Sequence, residues 1–419
     1  MTEESTGLFE KYTDMKPLFN KDRDILRPSY IPENLPHRRK QIEALASILA
    51  TALKGSRPSN ILIFGKTGTG KTAVTKYLGK EIKRAHEKQE GRFSAVNFIY
   101  INCEIVDTQY GVLAHVGNYF IQDWDERIPF TGWSTEKVYN QLMEQIDARE
   151  EVTVIVLDEI DKLVYKSGDD VLFHLTEINA DLLQGKLSIV GISNDLKFTE
   201  FLDTRVRSRL GEERMVFPPY NANQLQDILR QRVDLALREG AVDPGVISLC
   251  AALAAQEHGD ARRALDLMRV SAELAERDHA PRVTEHFVHK AVNKLELDAV
   301  EEVVTTLPTH SKLVLLGILI NEREGNLYST TGEVYDTYRE LCRQHGMNHL
   351  TQRRVTDLIS ELDMLGIINA RLKSFGRGGR TREISLAVSL YEIADVLRQD
   401  DQIKDLVDAR PHANQTKLL

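Results

Sequence analysis

The thirteen residues Asn60-Ile-Leu-Ile-Phe-Gly65-Lys66-Thr67-Gly68-Thr69-Gly70-Lys71-Thr72 constrain this chain more than any others. Ile61–Phe64 is apolar and β-prone, so it reads as a buried strand, and apolar residues at helical spacing (Val74, Leu78, Ile82) follow. Between strand and helix lies G-x-x-x-x-G-K-T, the phosphate-binding loop signature. Gly65, Gly68 and Gly70 allow successive N–H groups to point into one concavity. That concavity opens onto a helix N-terminus, where the helix dipole favours an anion. Lys71 can reach outer phosphates, and the Thr72 hydroxyl can ligate Mg²⁺. The rival is a chance match in a glycine-rich turn, which leaves the flanking strand and helix unexplained.

A second stretch matches the first. Val152-Thr-Val-Ile-Val-Leu-Asp158-Glu159 is a continuous apolar run of the kind a parallel strand covered on both faces requires, and it ends in two carboxylates. Placed on a strand neighbouring the loop's, Asp158 can hold the Mg²⁺ shell and Glu159 can take a proton from an attacking water. Asn194 follows the next strand, Leu187–Ile192, and either orients that water or caps a turn. Arg205, Arg207 and Arg209 sit on an amphipathic helix with Phe201, Leu202, Val206 and Leu210. One of the three can reach a neighbouring subunit's nucleotide, with a solvated basic face as the rival reading. Arg262 follows Asp260, a plausible N-cap, and either folds back on the phosphates or is an exposed helix charge. His37, at a helix start one helix before the loop, either touches the nucleoside or is a surface residue. ATP or ADP with Mg²⁺ is the expected cofactor.

At 419 residues the chain needs more than one core. A net charge of −9 excludes a global basic signature, so any nucleic-acid contact must come from a local patch. Cys103, Cys250 and Cys342 are far apart and odd in number, which fits core positions in a reducing compartment. No signal peptide is read at Met1-Thr-Glu-Glu, and the apolar run Leu313–Ile320 is far too short to span a bilayer, so an intracellular protein without a membrane partner is expected. Residues 1–35, interrupted by Pro17, Pro28 and Pro32, read as an arm lying on the first domain. The nucleotide-binding part covers 36–220, and helical patterns fill 221–304.

After Pro308 the pattern changes. A helix near 310–323 is followed by one starting at Thr330-Thr-Gly-Glu333, a capping-box spacing, and a third from Thr351 to Gly366. Two strands around Phe375-Gly-Arg-Gly-Gly-Arg380 complete a winged-helix plan over 305–398, leaving a frayed polar tail, 399–419. From Asn369 to Arg382 the segment carries Arg371, Lys373, Arg377, Arg380 and Arg382 and no acid. The third helix offers Gln352, Arg353 and Arg354 near its start, where recognition helices meet base edges. The rival is a winged helix that binds protein only.

Together these residues resemble the archaeal AAA+ replication initiators, relatives of eukaryotic origin-recognition and cell-division-control proteins. The phrases Asn34–Arg38, Pro129–Gly132, Gly259–Ala264 and Thr331–Tyr335 look like that family's own. The resemblance implies an α/β AAA+ domain with a parallel sheet, an α-helical lid and a C-terminal winged-helix domain. It makes Asn194 sensor 1 and Arg262 sensor 2, Arg209 the finger acting in trans with Arg205 second, and 122–133 a DNA-touching insertion. It further implies double-stranded origin DNA, the MCM helicase and other copies or paralogues as partners. Slow ATP hydrolysis would act as a switch in a cytoplasmic, nucleoid-associated protein. A clamp-loader-like or transcription-regulating ATPase, using the winged helix on protein or promoters, is the alternative.

Overall fold

The computed structural model describes residues 17–20, 22–88, 93–374 and 380–407; of 299, 372–374, 380 and 381 it describes the backbone alone. The chain forms two compact units, Met1–His289 and Lys290–Leu419.

The first unit is built on five parallel strands: β1 (Ile61–Phe64), β2 (Val96–Asn102), β3 (Val152–Asp158), β4 (Lys186–Ser193) and β5 (Glu213–Val216). Their order is β2-β3-β4-β1-β5. The expectation that the loop strand and the acidic strand are neighbours therefore fails, because β4 lies between them. β4 can take that place because it is apolar on both faces and carries Gly191, where a Cβ would stand 2.8 Å from Leu62 Cδ2.

Helices cover both faces. On one side lie α1 (Arg39–Leu53) and α2 (Lys71–Lys88). On the other are α3 (Gln109–Phe120), α4 (Thr135–Asp147), α5 (Ile160–Ser167), α6 (Asp170–Glu177) and α7 (Thr204–Leu210). Strand residues alternate between the two cores. Ile155 and Leu157 face the α3–α7 side, whereas Val152, Val154 and Val156 face α1 and α2. The same parity sends Ile61, Ile63, Val190 and Ile192 toward α2. Position 158 thus falls on the face that carries Thr72, which is why a period-2 strand ending in Asp delivers its carboxylate to the loop.

The lid consists of α8 (Ala222–Ala236), α9 (Pro244–Gln256) and α10 (Ala261–Arg277), followed by α11 (Glu285–Thr306), which continues into the second unit. The start of the arm packs on the lid, and its later part reaches the nucleotide-binding part, where Leu35 packs on the core and Glu33 pairs with Arg84. Leu18 and Phe19 are buried, Phe19 bridges to Leu237, and Asn20 Nδ2 donates to Leu235 O and Leu237 O. Arg23 pairs with Glu276 at 2.7 Å.

The second unit holds α12 (Thr309–Arg323), β6 (Ser329–Thr330), α13 (Thr331–His345), α14 (Gln352–Met364), β7 (Ile368–Ser374), β8 (Arg380–Leu386), α15 (Leu390–Arg398) and α16 (Lys404–Val407). Thr330 and Glu333 close the expected capping box around the start of α13. The sheet has three strands, β6-β8-β7, not two; β6 is only two residues long and carries no apolar pattern to reveal it. The expected frayed tail is packed through residue 407. Ile403 and Val407 are fully buried, and Lys312 Nζ, itself nearly buried, bonds to Asp400 Oδ2 at 2.6 Å.

Candidate nucleotide and nucleic-acid sites

The loop after β1 folds as its glycines dictate. Gly65, Gly68 and Gly70 all have positive φ (159°, 70° and 83°). A Cβ on Gly65 would stand 2.6 Å from Phe217 O, and one on Gly68 would collide with the Asp260 carboxylate of the lid. Side chains would therefore fill the concavity and hold the lid off the loop. Instead Ala261 N donates to Gly68 O at 3.2 Å. Lys66 and Thr67 are exposed at the outer turn, while Thr69 is buried and its hydroxyl bonds to Lys66 O.

Four sequence-predicted residues converge here. Lys71 Nζ donates to Gly65 O, Lys66 O and Asn194 Oδ1 at 2.7, 2.8 and 2.8 Å. Burial pushes the Lys71 ammonium down to about 8, opposed by Asp158 and reinforced by the Arg262 charge. Thr72 Oγ1 donates to Asp158 Oδ2 at 2.7 Å. A hydroxyl beside a carboxylate, both hard oxygen donors, fits Mg²⁺, which takes few protein ligands and completes its shell with phosphate and water.

Glu159 follows in the left-handed region, φ 57°, a costly backbone conformation for glutamate. Burial, and then the charges of Glu104, Asp158 and Asp161, push its carboxyl above the usual range.

The cleft beside the loop has a volume of about 330 Å³ and runs from Gly68–Ala73 past Arg262 to Tyr30, Ile31 and Leu35. His37 is not among its lining residues; its Nε2 lies 2.9 Å from Asp227 Oδ2 on α8. The arm lines that end of the cleft instead.

Two buried arginines that sequence reasoning did not single out hold this arrangement. Arg38 Nε donates to Thr69 O at 2.9 Å and Nη2 to Pro218 O at 2.6 Å, with its guanidinium over the Tyr220 ring. Arg232 of α8 donates to Ile25 O and Tyr30 O at 2.8 and 2.9 Å. Burial pushes Arg232 down to about 10. Both arginines act on carbonyls distant in sequence, and no local motif marks such contacts.

Of the candidate trans arginines, Arg209 forms an ion pair with Glu177, and Arg205 bonds to Asp203 and lies over the Phe173 ring. Val206 and Leu210 are buried as expected, but Phe201 is 65% exposed because a 3₁₀ turn, Phe198–Phe201, precedes α7. The segment 122–133 is pinned from beneath: Asn118 Nδ2 donates to Ile128 O, Asn118 Oδ1 accepts from Ile128 N, and Tyr110 donates to Pro129 O. Trp124 and Phe130 stand exposed above that anchor.

In the second unit, Gln352, Arg353 and Arg354 are exposed in the first turn of α14. Arg354 already faces Glu361 at 3.4 Å and Asp357 at 3.8 Å. Arg371 is exposed on β7, opposite Glu383 in register. Arg382 is half-buried, and its Nη1 donates to Ser360 Oγ at 2.7 Å, tying β8 to α14. Lys373 and Arg380 lie on β7 and β8, and Arg377 lies outside the described residues, as do the side chains of the other two.

A parallel sheet with a glycine-lined loop, a strand-end carboxylate pair and a helical lid defines an AAA+ protein, here followed by a winged helix. Family models agree: an AAA domain matches residues 54–193, a Cdc6 AAA+ ATPase-type lid domain 226–293, and a CDC6 C-terminal winged helix domain 302–396. The chain is 56% identical to ORC1-type DNA replication protein 1 of Methanosarcina acetivorans over 405 residues, 96% of this chain and 95% of that protein. It is 54% identical to the ORC1-type DNA replication protein of Pyrococcus furiosus, covering 98% and 97%. Its fold matches the Aeropyrum pernix ORC1 protein, solved in complex with DNA, with a TM-score of 0.81, 44% identity and coverage of 94% and 100%. The chain belongs to the ORC1-type family of archaeal AAA+ DNA replication proteins. Among the described residues, no helix is long and apolar enough to cross a membrane.

Proposed function

We propose that this protein is an ATP-dependent replication initiator that binds double-stranded origin DNA and helps recruit or load the MCM helicase. The observation that carries the ATP half is the meeting of Lys71, Thr72, Asp158 and Asn194 at the loop. In this reading the loop amides and Lys71 hold the β- and γ-phosphates, Thr72 and Asp158 hold Mg²⁺, and Arg262 reaches the γ-phosphate from the lid. Bound there, Mg²⁺ neutralises charge on the phosphates. Glu159, a stronger base for having its carboxyl pushed above the usual range, accepts the proton of the attacking water, and Asn194 orients that water. Arg209, with Arg205 second, completes the site of an adjacent copy or paralogue. Hydrolysis is slow and resets the lid.

DNA contact rests on exposed Arg353 and Arg371, on the wing arginines, and on Trp124 and Phe130 in the pinned insertion. That the Aeropyrum pernix relative was solved in complex with DNA supports DNA binding as such. Such a protein works on the cytoplasmic nucleoid.

The test is duplex titration at matched salt. DNA carrying origin repeats should bind more tightly than random duplex, with a log–log salt slope of about −0.9 per phosphate contacted, reduced by about one unit for Arg371→Ala. Equal affinity for both duplexes overturns sequence-specific recognition.

A further inference from the structure

Tyr100 sits two residues before the end of β2, with Phe98 on the face that packs against α2. Its hydroxyl donates to Asp158 Oδ2, the same oxygen that accepts from Thr72 Oγ1. The other carboxylate oxygen, Oδ1, accepts the Glu159 backbone N–H at 3.1 Å. The ring is held in turn, with Lys76 Nζ of α2 over its face at 4.2 Å. Asp158 is therefore fixed through both oxygens, by the loop helix on one side and by strand β2 on the other.

These two hydroxyls are not equivalent. Thr72 is the residue that would turn a lone pair to the cation, and its single O–H then serves Asp158 only from the position the ion dictates. A carboxylate held by Thr72 alone would follow that hydroxyl, whereas Tyr100 holds it from a strand that does not carry the loop. We propose that Tyr100 is a positioning residue that keeps the Asp158 carboxylate aimed at the Mg²⁺ position while Thr72 is engaged with the ion. The proposal rests on the reading of Thr72 and Asp158 as the Mg²⁺ pair.

Outer groups that orient metal ligands commonly change metal affinity by about tenfold or more when removed. The experiment measures affinity for a fluorescent ATP analogue on the full chain, from excess EDTA through rising Mg²⁺. For Tyr100→Phe, affinity in EDTA and melting temperature should match the parent, and the Mg²⁺ midpoint should rise about tenfold. In an Asp158→Asn background the same substitution should add nothing, because Tyr100 acts only through that carboxylate. An unchanged midpoint, an equal shift in the Asp158→Asn background, or a loss of affinity in EDTA overturns the role. A parent protein whose nucleotide affinity ignores Mg²⁺ overturns the underlying reading of the site, and the proposal with it.

Discussion

Lys71 has three N–H donors and three protein acceptors, so a triphosphate must replace these partners to be held. An ammonium pushed down by burial gains from an anion that restores its charged form. Lys71→Ala removes the ammonium that the loop carbonyls hold in place, and ATP binding by calorimetry should fall below detection. Glu159→Gln keeps the shape and removes the base. Hydrolysis should drop about 10²-fold or more while ATP stays bound, seen as unhydrolysed nucleotide retained after gel filtration. An unchanged turnover would remove Glu159 from the chemistry. The Thr72–Asp158 pair was legible because glycine spacing and strand parity are local rules. Tyr100, Arg38 and Arg232 were not, since a tyrosine in a strand, or an arginine before or within a helix, gives no sign of a partner far along the chain.

Elements were easier to read than their neighbours. The helices and strands of the nucleotide half followed from hydrophobic periodicity, but the insertion of β4 between β1 and β3 did not, because parallel order is set by packing rather than by local sequence. The arm is the clearest case. Its prolines announced irregular chain, yet its place was decided by Leu18, Phe19 and Leu26 burying against the lid. Arg232→Met strips Ile25 O and Tyr30 O of their donor, which should cost about 1–3 kcal/mol. Hydrogen exchange should quicken across residues 18–30, and affinity should weaken for ATP but not for tripolyphosphate, which lacks the nucleoside that the arm walls in. Unaltered exchange would show that the arm holds without this residue.

The polar tail misled for a similar reason: two apolar residues, Ile403 and Val407, are enough to seat it when Lys312 is waiting beneath. The Lys312 ammonium holds the Asp400 carboxyl below the usual range, so as pH falls the unfolded chain takes up this proton first. The contribution is therefore present above the ordinary aspartate range and is lost as pH falls through it toward the folded value. Melting curves of the parent and Asp400→Asn should differ at neutral pH and converge in acid. A difference that persists at acid pH would mean that the ion pair is not its source.

For the whole molecule, two units with separate cores, one holding the nucleotide cleft and the other the winged helix, should answer to different ligands. Ligand that binds only the folded form stabilises by RT ln(1 + [L]/Kd), about 2.7 kcal/mol at a hundredfold excess over Kd. Calorimetry should therefore resolve two transitions. Mg²⁺-ATP should raise one by several degrees, on the order of 5 °C, and duplex DNA should raise the other. The switch proposed above adds a stricter demand. If ATP alters the duplex affinity by some factor, duplex must alter the ATP affinity by the same factor, because the coupling free energy belongs to both equilibria. Measuring each affinity with and without the other ligand closes the cycle. A single transition that either ligand moves equally would mean that the units melt as one body. Two transitions with no coupling in the cycle would leave a nucleotide site and a DNA module sharing a chain without a switch between them.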